Sequence, residues 1–110
     1  MQVTARYGYN IARMSFEIVF SPEADEDRRR LKARDWSIVR HALEIHLRHE
    51  PRKESKSRIK RLRGLTRPQY RLRVGEVRVF YDVTEQVVEV LAVVPRSMAG
   101  TWLEEEGKPQ

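Results

Sequence analysis

The chain has 110 residues, of which 40% are hydrophobic and 35% charged, a length and composition that suit one small, polar globular domain. It contains no cysteine, which excludes disulfides, zinc–thiolate sites, iron–sulfur clusters and thiol catalysis. No apolar run is long enough to span a membrane, and the first six residues lack the apolar core of a signal peptide, so we expect a cytoplasmic protein.

The net charge of +6 is concentrated in one part of the chain. Residues 52–78 contain 11 basic and two acidic residues, a local charge of +9, whereas the remaining residues sum to −3. Such a run is either a binding surface for a polyanion or a disordered basic segment. Because Ile59, Leu62 and Leu65 interrupt the run and a strand pattern follows directly, we expect a binding surface.

The chain begins with a segment of unclear structure, followed by a strand and a helix. Residues 1–14 show no clear periodicity and are interpreted as a loose arm. Residues 15–20 alternate apolar and polar positions, which is typical of a strand. Ser21, followed by a proline and an acidic residue, predicts the N-cap of a helix that ends near residue 34.

A second helix is predicted directly after the first, so that the two form an αα-hairpin. Asp35 is predicted to be its N-cap, and the helix must end before Pro51, since a proline disfavours helical backbone in the residue before it. This helix carries all three histidines, His41, His46 and His49. They do not share one face and have no acidic or thiol partner nearby, so we interpret them as surface or boundary residues rather than metal ligands.

A β-hairpin is predicted after the basic connection. Residues 69–74 and 77–83 alternate apolar and polar side chains with a period of two. Gly75 and Glu76 between them suit a two-residue turn of type II′, in which glycine comes first. This turn predicts a register in which every core-facing position is apolar. The predicted pairs are Val74 with Val77, Arg73 with Arg78, and Leu72 with Val79.

The opposite face of the predicted hairpin is basic. Arg73 would lie beside Arg78, with Arg71 diagonal to them and Phe80 across from Arg71. Like charges in direct opposition destabilise a sheet by roughly a few tenths of a kcal/mol. A bound phosphate would offset this repulsion, and arginine binds phosphate oxygens through two parallel hydrogen bonds. The alternative is a solvated basic face that is balanced by the acidic residues at 104–106.

The last part of the chain predicts a third long strand and a short final element. Residues 87–94 are almost continuously apolar, as in a strand that is covered on both faces. Pro95 ends this strand, and a short helix or loop follows around Met98 and Trp102. We therefore predict an α+β domain over residues 15–103, with an acidic and polar tail at 104–110. Its mostly antiparallel, four-stranded sheet would have the order β-α-α-β-β-β, with the helical hairpin packed on one face.

Four segments of the chain, in order, read FEIVFSPEA, RLRGL, YRLRVGEVRVFYDV and VVEVLAVV. In this order they resemble the RelE/ParE superfamily of toxins from type II toxin–antitoxin systems, over residues 15–102 and more closely the RelE branch. The resemblance implies a RelE-like fold and an mRNA interferase, an endoribonuclease that inhibits translation in the ribosomal A site. In that reaction the ribose 2′-OH attacks the adjacent phosphate. The alternatives are a ParE-like inhibitor of DNA gyrase and a catalytically weak module that acts with its antitoxin in operator binding.

The resemblance also implies which residues form the site. Catalytic roles fall on four arginines, Arg71, Arg73, Arg78 and Arg96. RNA binding is assigned to seven residues, Lys56, Arg58, Lys60, Arg61, Arg63, Phe80 and Trp102. Arginines stand at 71 and 73, where well-known members of the family have lysines. A tryptophan, Trp102, stands near the place of the C-terminal tyrosine of the family, and Tyr70 and Tyr81 are candidates to replace that tyrosine.

The partners implied by the resemblance are a cognate antitoxin, the ribosome and mRNA, with operator DNA bound only through the antitoxin complex. No membrane is expected to be a partner. No cofactor or metal is implied either, because attack by a 2′-OH requires none and the sequence offers no carboxylate cluster to hold one.

Overall fold

The computed structural model describes residues 15–110, so the arm predicted for residues 1–14 lies outside the described residues. Within this range the order of elements is β1 (Glu17–Phe20), α1 (Pro22–Arg30), α2 (Ala33–Leu47), β2 (Ile59–Arg61), β3 (Leu65–Arg67), β4 (Tyr70–Val74), β5 (Val77–Thr84), β6 (Val87–Pro95), α3 (Arg96–Glu106) and β7 (Lys108–Pro109). None of the helices in residues 15–110 has the length and apolar character that crossing a membrane requires.

Five of the strands form one sheet in the order β1-β6-β5-β4-β2. β1 pairs with β6 in parallel, and the other pairs in this sheet are antiparallel. The mostly antiparallel α+β fold is thus confirmed, but the sheet has five strands rather than the predicted four. The additional strand is β2, which the basic connection supplies at the edge next to β4. A separate ribbon of two strands pairs β3 with β7.

The helical hairpin packs on one face of the sheet, as predicted. α1 lies against β6 and α2 against β4. The core between these layers consists of buried apolar side chains from both, including Val39, Leu43, Leu47, Leu72, Val79, Tyr81, Val88 and Val90. Burial of this apolar surface is the main stabilising contribution to the fold, and it holds the β4–β5 hairpin against the helices.

The two helices begin in different ways. Ser21 is the N-cap of α1, as predicted, and its hydroxyl accepts a hydrogen bond of 3.1 Å from the backbone N–H of Ala24. The prediction that Asp35 caps α2 is wrong, because Lys32 is the N-cap residue and forms no side-chain cap there. Asp35 lies in the first turn instead, where its negative charge still favours the positive end of the helix dipole.

Helix α3 packs on the other face of the sheet, against β5 and β6. Trp102 of α3 stacks on Phe80 of β5, with ring centroids 4.9 Å apart and an interplanar angle of 6°. β6 is therefore buried on both faces, as its apolar sequence predicted. Residues 104–110, which the sequence set apart as a tail, complete α3 and form β7 beside β3.

Candidate functional site

The β4–β5 hairpin holds three arginines in the predicted register. Arg73 pairs with Arg78, and Arg71 pairs with Phe80. Gly75 has a φ of 57°, and it is the only residue of the two-residue turn with a positive φ, as a type II′ turn requires. Because cross-strand partners lie on the same face of a sheet, the three arginines share the face opposite the core.

Strand β2 extends this basic surface by one strand. Lys60 is the cross-strand partner of Arg71. The backbone N–H of Arg73 donates a hydrogen bond of 2.9 Å to the carbonyl of Arg58, which continues the ladder beyond the end of β2. Lys60 and Arg71 form one cross-strand pair of basic side chains, and Arg73 and Arg78 form a second. We call these four residues the basic face: Lys60, Arg71, Arg73 and Arg78.

The arginines of the hairpin carry positive charge without an acidic partner. Within the described part of the chain, no carboxylate lies within 4.0 Å of the guanidinium groups of Arg71, Arg73 or Arg78. Burial lowers the pKa of Arg71, and the charge of Arg73 lowers this pKa further. Burial and the neighbouring arginines lower the pKa of Arg78 as well. Uncompensated, partly desolvated positive charge of this kind attracts an anion.

Two of these guanidinium groups differ in their hydrogen bonds. Nη1 of Arg78, which is 6% exposed, donates to the carbonyls of Gly75 at 2.8 Å and Val77 at 3.1 Å. The turn therefore fixes the position of this guanidinium. Nε of Arg71 is buried and has no hydrogen-bond partner among residues 15–110. A buried donor without a partner costs about 1–3 kcal/mol, a cost that a bound acceptor such as a phosphate oxygen would remove.

Arg96, the fourth predicted catalytic residue, lies beside the hairpin turn at the start of α3. Its backbone N–H donates to the carbonyl of Glu76 at 2.7 Å, and its Nη1 lies 3.8 Å from Oε2 of Glu76. The charge of Arg96 also contributes to the lowered pKa of Arg78. The charges of Arg71, Arg73 and Arg96 all act on Arg78, so the structure brings the four predicted catalytic arginines near one another.

The acidic residues at 104–106 do not pair with these arginines. All three are exposed side chains in the last turns of α3, and none forms an ion pair within the described range. The alternative of a basic face that is neutralised by the acidic end of the chain therefore has no contact to support it.

The remaining candidates for RNA binding lie in different places. Lys56, Arg58 and Arg63 are exposed. Arg61 faces the other way, since it pairs with Tyr70 in the ladder and its guanidinium carbon lies 5.2 Å from the centre of the Tyr70 ring. Lys60 was assigned to RNA binding without a position next to Arg71, because the strand that sets the two residues side by side was not predicted.

The two aromatic candidates form one stacked pair. Phe80 has no exposed surface, because Trp102 covers it, so Phe80 supports Trp102 and cannot itself contact RNA. Trp102 is half-buried, with one ring face occupied by Phe80. Sequence reasoning missed this contact because it joins residues that are 22 positions apart, on elements whose packing no local pattern predicts.

The tyrosines considered as replacements for the family tyrosine lie in the core. Tyr70 and Tyr81 stack on each other with ring centroids 5.4 Å apart. The hydroxyl of Tyr81 donates to the carbonyl of Pro51 at 2.7 Å, and burial raises the pKa of Tyr81. Neither hydroxyl is placed to exchange a proton at the basic face.

His41 and His46 lie on α2, which packs on the core side of the sheet, whereas His49 follows the end of this helix. The prediction that one helix carries all three histidines is therefore wrong for His49, because α2 ends at Leu47. His41 and His49 are exposed and His46 is half-buried. Burial and the charge of Arg58 lower the pKa of His46. Among the residues that the structure describes, no three His, Cys, Asp or Glu side chains are grouped so as to hold a metal ion.

Comparison with solved structures identifies the fold. A chain of the archaeal RelE–RelB complex from Pyrococcus horikoshii OT3 is 24% identical, with a TM-score of 0.62 over 76% of this chain and 97% of that chain. A chain of the toxin–antitoxin complex RelBE2 from Mycobacterium tuberculosis is 23% identical, with a TM-score of 0.58 over 76% and 94%. The YoeB dimer from Staphylococcus aureus gives 20% identity and a TM-score of 0.55 over 71% and 93%. At these identities the likeness shows a shared fold.

Comparison with sequences identifies the family. No curated protein matches the chain. The profile of a family described as the ParE toxin of the type II toxin–antitoxin system parDE matches residues 18–100. The match runs from β1 into α3 and so includes the helical hairpin, the β4–β5 hairpin and β6. The chain therefore belongs to the ParE toxin family of type II toxin–antitoxin systems, within the RelE/ParE superfamily.

Proposed function

We propose that this toxin is an endoribonuclease that cleaves mRNA on the ribosome and so inhibits translation. The observation that supports this proposal is the cluster of Arg71, Arg73 and Arg78, which has no acidic partner among the described residues and in which Arg71 is half-buried and Arg78 buried. Attack of a ribose 2′-oxygen on the adjacent phosphate places additional negative charge on the phosphate oxygens in the transition state. Positioned arginines stabilise that charge most effectively where water is excluded.

Each arginine has a role that follows from its position. Arg71 offers the unsatisfied Nε–H to a phosphate oxygen. Arg78 is held by two backbone carbonyls, so its guanidinium is oriented before substrate binds. Arg73 is exposed between these two, and Arg96 adds charge at the turn. These roles account for binding and charge stabilisation, which are two of the requirements of the reaction.

The test is to map the 5′ ends of mRNA fragments on programmed ribosomes with purified toxin. Wild-type protein should cut inside the A-site codon, and Arg78→Ala should abolish this cut. Arg34→Ala removes the same charge from an exposed residue of α2 and serves as the matched control. Undiminished cleavage by Arg78→Ala would show that the hairpin arginines do not form the active site.

A second candidate function is inhibition of DNA gyrase by binding, without cleavage. It is favoured by one observation, namely that the matching family profile is that of the ParE toxin. The two functions differ in their dependence on the hairpin arginines. A variant with Arg71, Arg73 and Arg78 all changed to alanine should lose toxicity if the protein cleaves RNA. Full toxicity of this variant, together with gyrase-dependent DNA damage on induction, would instead identify a gyrase inhibitor.

We also propose a cognate antitoxin that covers the basic face with acidic side chains. The support is the local charge of +9 over residues 52–78 together with membership of a toxin–antitoxin family. Charge-led association weakens as salt screens it, so the dissociation constant should rise steeply between low and high salt. An affinity that salt does not change would contradict this. A folded protein that binds its antitoxin but neither cleaves RNA nor inhibits gyrase would be a module for operator binding.

A further inference from the structure

Lys60 is a titratable side chain of the basic face, on the edge strand β2. In the described part of the chain it is the only lysine in the five-stranded sheet, and it is exposed. Its register partner is Arg71, so both side chains project from the same face of the sheet. Lys60 thus lies one strand away from the arginine whose Nε has no hydrogen-bond partner.

The proposed reaction requires a proton donor that the arginines supply poorly. When the bond between phosphorus and the 5′-oxygen breaks, the departing oxygen must take up a proton. The pKa of arginine lies well above that of a lysine ammonium, which is about 10.4, so lysine gives up a proton much more readily. Lysine is also protonated near neutral pH and is therefore ready to act as an acid.

The core tyrosines, Glu76 and the histidines are not positioned to donate this proton. Tyr70 and Tyr81 stack in the core on the opposite face. Glu76 pairs with Arg96 at the turn, and a carboxylate is in any case ionised near neutral pH. His41 and His46 are carried by α2, which packs on the core side of the sheet, and His49 directly follows this helix.

We infer that Lys60 is the proton donor for the departing 5′-oxygen, an assignment that rests on the proposed function. As the O2′–P bond forms and the P–O5′ bond breaks, the Lys60 ammonium transfers a proton to O5′, while the proton of the 2′-hydroxyl passes to water. Water then returns a proton to the amine. The products are a 2′,3′-cyclic phosphate and a fragment with a free 5′-hydroxyl. The proton donor thus lies on β2, and the arginines that bind the phosphate lie on β4 and β5.

The variant that tests this inference is Lys60→Arg. It keeps the positive charge, so binding of the phosphate backbone should be retained, but it removes the readily transferred proton. General acid catalysis contributes about 100-fold to 10,000-fold to a reaction rate, so cleavage of ordinary mRNA should fall at least about 100-fold. Lys53→Arg makes the same change at an exposed lysine in the loop before β2 and should cleave as wild type does.

A second substrate separates proton donation from charge or folding effects. In this mRNA a sulfur atom replaces the bridging 5′-oxygen at the cleaved linkage. A thiolate leaves without needing a proton, so Lys60→Arg should cleave this substrate within a few-fold of the wild-type rate. Equal slowing on both substrates, or no slowing on ordinary mRNA, would overturn the assignment to Lys60. If wild-type protein cleaved neither substrate, the proposed function itself would fall, and the inference with it.

Discussion

Replacing Arg71 with methionine tests the electrostatic account of the basic face through its effect on stability. The buried Nε of Arg71 has no partner among the described residues, a cost of about 1–3 kcal/mol. Its charge also lies close to that of Arg73 on the same strand and opposite Lys60 on β2, and like charges directly opposite each other in a sheet cost roughly 0.2–1 kcal/mol. Methionine removes both costs and keeps an unbranched chain that adapts to its surroundings. We therefore expect Arg71→Met to raise the free energy of unfolding by about 1–3 kcal/mol.

The measurement is urea denaturation of both proteins at low salt and at about 1 M salt, where charges are screened beyond about 3 Å. The part of the gain that comes from charge repulsion should shrink at high salt, whereas the part that comes from the buried nitrogen should remain. In thermal unfolding the midpoint should rise by about 4 °C or more, at roughly 4–8 °C per kcal/mol. Arg73→Met, at an exposed position, should change stability by less than about 1 kcal/mol. If Arg71→Met were no more stable than wild type at either salt concentration, the reasoning would be refuted.

Three further predictions concern the support of the site. Trp102→Ala should lower the free energy of unfolding by about 2–3 kcal/mol, because Phe80 loses its stacked cover, and Trp102→Phe should recover most of this in urea denaturation. Asp27→Asn keeps an acceptor for the N–H of Val93 and removes the titrating carboxyl group. Burial raises the pKa of Asp27, so the folded state binds the carboxyl proton more tightly than the unfolded state does, and the stability of the wild type relative to the variant should fall as the pH rises from 4 to 7. A stability difference that does not change with pH would contradict this expectation. Gly75→Ala should cost about 1–3 kcal/mol from its positive φ alone, because an added Cβ meets no atom within 4 Å; an unchanged midpoint would mean that the turn relaxes without cost.

The β4–β5 hairpin was predictable residue by residue, because every signal in that segment agrees. The alternation of apolar and polar positions fixes the faces, and Gly75 as the first turn residue fixes the register. A shift by one residue would have placed arginines in the core. The continuous apolar run of β6 likewise predicted a strand covered on both faces, although not that α3 supplies one of the covers.

β2 and the cap of α2 were not predictable in the same way. β2 has three residues, of which Ile59 alone is buried, so no alternation is long enough to indicate a strand. Its pairing depends on β4, which presents an edge to it. Asp35 was predicted to be the N-cap of α2 because aspartate is favoured at that position. The connection from α1 is short, so Lys32 is the N-cap and the helix begins at Ala33. The orphaned Nε of Arg71 depends on packing across three elements, which no local pattern encodes.

The parallel pairing of β1 with β6 has a consequence for how the protein folds. It joins residues such as Glu17 and Val87, and the hydrogen bond from Ser21 to Leu91 spans 70 positions in the sequence. Closing so long a loop is slow and entropically costly, whereas the β4–β5 hairpin joins neighbours and can form early. An early hairpin would bring Arg73 and Arg78 together before the core exists to hold them. The site therefore depends on the last long strand to be synthesised, and the nascent toxin stays incomplete until β6 has left the ribosome.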